Sequence, residues 1–165
     1  MKKAYLFLAA AFLLGVFEGI LFRPLLPDPM AIHFDVAGRV DGWGARDRFL
    51  LDFAAAPVVL VLLFGALRLI LPRVPASLIN LPNKDYWLAP VRRAQTFERM
   101  SEHAAVLVAL ALLLVDALLY QALRAARSES LSPGWLWGSI GIFVAASAVW
   151  AVGAARIFRL PKAGT

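Results

Sequence analysis

Four apolar runs divide the chain, at residues 4–22, 49–71, 104–123 and 135–155. Each approaches the ~20 residues that a helix needs to cross the hydrocarbon of a bilayer. Two polar stretches, 23–48 and 72–103, separate the first three runs. The pattern predicts one all-α integral membrane domain over residues 1–165: four transmembrane helices with a long structured loop between helices 1 and 2.

Local signals refine the four runs. Lys2 and Lys3 before the first run resemble the start of a secretory signal peptide. However, Phe17, Ile20, Leu21 and Phe22 are wrong for a peptidase, so a retained helix is expected. Pro57 interrupts the second run and frees the carbonyl of Phe53. In the fourth, Gly134, Gly138, Gly141 and Ala145 form a small-residue spacing that predicts close helix approach. Trp135, Trp137 and Tyr120 suit an interfacial aromatic belt. In the second polar stretch, Pro72, Pro75, Pro82 and Asn83 keep the first half out of helix. Pro90 then fits a first helical position, and one long helix is expected from there into the third run. Tyr86 and Trp87, just before it, are expected to anchor at the headgroups.

Composition agrees with the pattern. Hydrophobic residues make up 61% of the sequence and mean hydropathy is +0.73, against about 45–50% apolar usage in soluble domains. No cysteine occurs, which excludes disulfides and thiolate metal sites. The formal charge of +6 is read as topology rather than nucleic-acid binding, because basic residues flanking apolar runs set orientation. With four spans, the side holding both termini and the second loop carries ten lysines and arginines, Lys162 among them. The opposite side carries six, and Arg68 lies inside a span. Cytoplasmic termini and an outer loop over 23–48 are therefore expected.

Charges inside the runs come next. Glu18, Asp52 and Asp116 all fall toward the end of the membrane that bears the 23–48 loop, and such residues usually face the bundle interior or water. The expected partners are Arg23, Arg39, Arg46, Arg48 and Arg124. Two readings stay open: acids and arginines that pin the loop on the bundle, or a polar vestibule in which a carboxylate holds a cation or basic ligand. Arg68 is expected to snorkel toward the headgroups.

The loop itself is unusually furnished. Pro24, Pro27 and Pro29 keep the chain extended, and Met30–Phe34 reads as a short strand or extended segment across the bundle mouth. Gly38, Gly42 and Gly44 predict two tight turns, with Asp41-Gly42 a strong turn dipeptide. Trp43 is expected to pack onto helices or headgroups, and Asp47 to cap the second helix. His33 with Asp35 and Asp41 offers imidazole and carboxylate ligands of the kind zinc accepts. Against that, the only other histidine, His103, falls on the opposite side. A histidine hydrogen-bonded to the loop or an acid is the simpler reading, and no cofactor is expected. Nothing like a G-x-S-x-G, H-E-x-x-H or Walker sequence accompanies it.

Two stretches resemble a known family. Residues 27–43, Pro-Asp-Pro-Met-Ala-Ile-His-Phe-Asp-x-x-Gly-x-x-Asp-Gly-Trp, resemble the signature of the bacterial membrane family DUF1648, which includes the N-terminal part of SdpI-like proteins. Those are immunity and signalling partners of a secreted toxic peptide. Ile-Asn-Leu-Pro-Asn-Lys-Asp-Tyr-Trp at 79–87, followed by Pro90, Arg92 and Arg93, is similar to a second pattern in many members. The family pattern marks His33, Phe34, Gly38 and Asp41. Asp35 stands where asparagine is common and Arg46 where lysine is common. The resemblance implies an integral protein of the bacterial cytoplasmic membrane and assigns no catalytic residue.

The expectation is thus a ligand- or peptide-responsive sensor or immunity-like protein. Outside, Glu18, His33, Asp35, Gly38, Asp41, Arg46, Asp52 and Asp116 would bind a peptide or small ligand or anchor the loop. Inside, Asn80, Asn83, Lys84, Tyr86, Trp87, Arg92 and Arg93 would meet a protein partner. The alternatives are a metal-assisted membrane enzyme using His33 and Asp41 with Glu18 or Asp116, and a subunit of an oligomeric transporter.

Overall fold

A long central helix carries the other elements in the computed structural model, which describes residues 2–128 and 130–160. Lys162 lies outside the described residues. The elements in order are α1 (Lys2–Phe22), β1 (Met30–Phe34), β2 (Val40–Gly44), α2 (Arg46–Ile70), α3 (Lys84–Trp87), α4 (Pro90–Ser128) and α5 (Pro133–Ile157). α1, α2, α4 and α5 are each long and apolar enough to cross a membrane. The chain is a four-helix membrane protein. α4 begins at Pro90, as the sequence predicts. α2 begins at Arg46, three residues before its apolar run, because a polar first turn continues the helix into the loop.

α1, α2 and α5 all pack against α4. Ala105, Ala109 and Leu112 line one face of α4 at helical spacing and are fully buried against Leu8 and Ala11 of α1 and Phe64 of α2. Alanines four residues apart let the helices approach closely, so their contact is dispersion over a long seam. On the α5 side, Trp150 donates its indole N–H to the His103 carbonyl at 2.8 Å. The small-residue stripe of α5 is not part of this packing. A Cβ built on Gly134, Gly138 or Gly141 meets nothing within 4 Å, and Ala145 is exposed. Close approach arises instead at Gly15 of α1, where a Cβ would collide with Asp116 Oδ1.

Both ends of α4 carry polar-loop segments. At one end Leu26 and Met30 pack on Leu119, Leu123 and Ala126, ringed by Phe22, Phe49 and Phe53. At the far end Ile79, Leu81, Trp87 and Leu88 pack on Phe97 of α4 and on Phe158, just past α5. Trp87, expected at the headgroups, is only 8% exposed. Its indole N–H donates to the Phe158 carbonyl at 2.9 Å, and Asn83 Nδ2 donates to the same oxygen at 3.1 Å. Asn83 takes a left-handed backbone (φ 54°) that asparagine tolerates well, which starts α3 at the angle this clamp needs. Thr96 Oγ1 closes the arrangement by donating to the Trp87 carbonyl at 2.8 Å.

Trp87→Phe removes one of two donors to a buried carbonyl and should cost about 1 kcal/mol of stability in detergent. Trp87→Ala, which also opens a cavity, should cost about 3–5 kcal/mol. A neutral Trp87→Ala on thermal unfolding would show that this clamp does not hold the end of α5.

Candidate functional site

The 23–48 loop folds as an antiparallel hairpin of β1 and β2, and each of its polar residues has a traceable task. Met30 and Ala31 are 0% exposed, and Met30 packs on Leu119, Leu123 and Ala126 of α4. Asp35 builds the reversal between the strands. Its Oδ1 accepts the Ala37 and Arg39 amides at 2.8 and 2.9 Å, and its Oδ2 accepts Arg39 Nε at 2.8 Å. The Arg39 amide, then the Arg39 guanidinium, hold this carboxyl below the usual aspartate range. Gly38 follows with φ +80°, and its carbonyl accepts the Leu131 amide at 2.8 Å from the α4–α5 connection. A Cβ there would collide with the Leu131 carbonyl oxygen as well as strain the backbone.

Only one reversal forms, not two. Asp41-Gly42 and Gly44 lie within β2, and glycine is needed there because β1 side chains cross over them. A Cβ on Gly42 would stand 2.8 Å from the His33 Cβ, and one on Gly44 would meet Ile32 Cδ1 at 2.5 Å. The dipeptide signal for a turn is overridden by this cross-strand crowding. Trp43 lies opposite Ala31 and stays half exposed.

His33 Nδ1 lies 2.5 Å from Asp41 Oδ1, and the His33 side chain is 73% exposed. The pair supplies two potential ligands. Among the described residues no three His, Asp or Glu side chains gather where one metal ion would bridge them.

A second knot fastens the hairpin to α2. Asp47, expected to cap α2, sits inside its first turn, and Ala45 occupies the cap position without a side-chain bond. The capping oxygen comes from Asp28, whose Oδ1 accepts the Arg46 amide at 3.1 Å. Asp47 instead receives Arg23 Nη2 at 2.9 Å and Arg46 Nε at 3.0 Å. The sequence carries no sign of this role for Asp28, because its partner is 18 positions away. Asp52 pairs with Arg48 at 2.9 Å on the surface and does not join the other acids.

Glu18 and Asp116 do come together. Asp116 is 4% exposed, its Oδ1 faces Gly15, and Glu18 follows Gly15 by one turn on the same face of α1. Glu18 Oε2 and Asp116 Oδ2 are both buried without a hydrogen-bond partner. Neither forms an ion pair with the expected arginines among the described residues. His33 does not cap this pair. The apolar Leu26 and Met30 take the seat on α4, and the imidazole is turned outward.

At the far end, the residues expected to meet a partner mostly hold the chain together. Arg93 Nη2 donates to the Val74 and Pro72 carbonyls at 3.1 and 3.3 Å. Arg92 stacks 3.9 Å over the Tyr86 ring. Asn80 and Lys84 remain exposed, beside Asp85. Arg68 lies 4.6 Å over the Tyr5 ring, with Nη2 3.4 Å from Glu98 Oε2. Tyr5 donates its hydroxyl to Glu98 Oε1 at 2.9 Å. Glu98 escaped the sequence reading, although with Ser101 and Ala105 it marks the α4 face that meets α1.

Residues 6–60 match the profile of a family described as Domain of unknown function (DUF1648). No curated protein and no solved structure matches the chain.

Gly38→Ala should cost about 1–3 kcal/mol through backbone strain and the lost Leu131 contact; unchanged thermal stability would contradict this role. Asp35 has a folded-state pKa below its unfolded one, so its contribution is complete above ~3.9 and is lost as pH falls through the folded value. The Ala37 and Arg39 amide resonances should therefore titrate together with a midpoint below ~3.9. A midpoint equal to that of a free aspartate would remove the carboxylate from the turn.

Proposed function

With residues 6–60 belonging to the DUF1648 family, we propose that this chain is a ligand- or peptide-responsive membrane protein, a sensor or immunity-like protein that recognises an extended peptide through its hairpin. The observation that supports it best is the division of the hairpin into a seated face and a presented one. Met30 is shut against α4 and Ala31 is buried, while Ile32, His33, Val36 and Trp43 are exposed on a frame fixed by Asp35, Gly38 and Asp28. Such a frame loses little conformational entropy on binding, and a two-stranded hairpin offers open edges to a further strand. The residues 27–43 that resemble SdpI-like proteins form this same hairpin.

In this reading the hairpin faces outward from a bacterial cytoplasmic membrane and both termini face the cytoplasm. The supporting observation is the ten-to-six distribution of basic residues. A protein partner at the cytoplasmic end would meet Asn80, Lys84 and Asp85, since Trp87, Asn83, Arg92 and Arg93 are engaged within the chain.

A peptide display library panned on nanodisc-embedded protein tests the recognition role. Peptides should be enriched that bind the native chain and are lost with a His33→Ala/Trp43→Ala variant of unchanged stability. If every binder tolerates that variant, the hairpin is not the recognition surface. The orientation is tested separately: the chain has no cysteine, so Val36→Cys should label with an impermeant maleimide in intact cells. Labelling only after lysis would reverse the topology.

A further inference from the structure

α1 and α2 do not close on one another. The two helices touch little, because both lean on α4, and a cleft of about 410 Å³ opens between them. This lies within the ~300–1,000 Å³ typical of small-ligand sites. Its walls are apolar, with Phe12, Val16, Leu50, Ala54 and Val58 among them, and Gly15 and Gly19 leave the α1 wall flat. Pro57 also lines it, at the point where α2 lacks an amide donor.

Two charged residues interrupt this apolar lining. Arg23 stands at the rim, and its guanidinium is already bound by Asp47. Asp116 lies in the wall contributed by α4, with Oδ2 buried and unpartnered. Glu18, whose Oε2 is likewise buried without a hydrogen-bond partner, adjoins it. A buried carboxylate without donor or counter-charge is costly, and an occupant that brings both would offset that cost. An anion or a neutral acyl chain brings neither.

We propose that the α1–α2 cleft is a binding site for a lipophilic amine, its apolar body between the two helices and its ammonium donating to Asp116 beside Glu18. The ligand class follows from the pairing of a nearly wholly apolar cavity with one acid in its wall and a second beside it, neither in an ion pair among the described residues. Because the cleft lies between membrane-spanning helices, such a ligand reaches it from the lipid phase. The site is separate from the presented face of the hairpin, and neither needs the other.

The test is equilibrium binding of tritiated adamantylamine to the full chain in phosphatidylcholine nanodiscs, with adamantanol as the neutral isostere. The amine should bind saturably, at about one per chain, and at least about tenfold more tightly than the alcohol. Asp116→Asn should remove about a tenfold or larger part of that affinity. Gly19→Leu serves as a control that does not touch the acids: a Cβ there meets nothing within 4 Å, so the helix accepts it while the side chain fills the cleft. It should abolish binding with the circular dichroism unchanged. Equal affinity for amine and alcohol, or full affinity in Asp116→Asn, would make the cleft an acyl-chain niche and overturn the proposal. Binding that survives Gly19→Leu, or no saturable binding at all, would overturn it too.

Discussion

α4 is longer than a bilayer is thick, and that mismatch organises the molecule. Its 39 residues rise about 58 Å at 1.5 Å each, against ~30 Å of hydrocarbon. Most of the surplus precedes the apolar run at 104–123, and both ends of the helix carry apolar side chains that need cover. Leu119, Leu123 and Ala126 receive the hairpin at one end, and Phe97 receives the Trp87 segment at the other. In between, Ala105, Ala109 and Leu112 bind α1 and α2. The two conspicuous polar stretches of the sequence are thus covers for the two ends of one helix. Their polar residues then divide between fastening and presentation.

The division is sharpest in the hairpin. Asp28, Asp35 and Asp47 each satisfy backbone amides or arginines, and every one of those contacts fixes geometry. What is left over, His33 with Asp41 and the exposed Ile32, Val36 and Trp43, has no structural partner beyond the hairpin itself. The DUF1648 segment, residues 6–60, holds the hairpin and its fastenings but not its seat, which α4 supplies from elsewhere in the chain. Recognition by the presented face would therefore depend on helix packing well outside the family segment.

The sequence shows the parts of this fold that rest on local rules. Span lengths, the start of α4 at Pro90 and the strand at Met30–Phe34 follow from apolar run length, proline's missing amide and a bounded apolar stretch. The departures all involve partners distant in sequence. Asp41-Gly42 looks like a turn until His33 crosses over it; Asp47 looks like a cap until Asp28, from the far side of the hairpin, takes that place. Trp87 looks like an interfacial anchor until Phe158, 71 residues on, offers a carbonyl. The α5 glycines look like a packing stripe, while the close contact forms on α1 at Gly15. Glu18 and Asp116 were legible as intramembrane acids, but their neighbourhood required the α1–α4 register.

Native-state hydrogen exchange on the Leu123→Ala variant in detergent bears most directly on the role of α4. Leu123 is fully buried under Leu26 and Met30. If α4 seats the hairpin, the amides of Met30–Phe34 and Val40–Gly44 should lose protection together, while the far-end amides around Trp87 and Phe97 keep theirs. Hairpin protection unchanged from the native chain would mean that the hairpin stands without its seat, and α4 would no longer be the element on which the rest hangs.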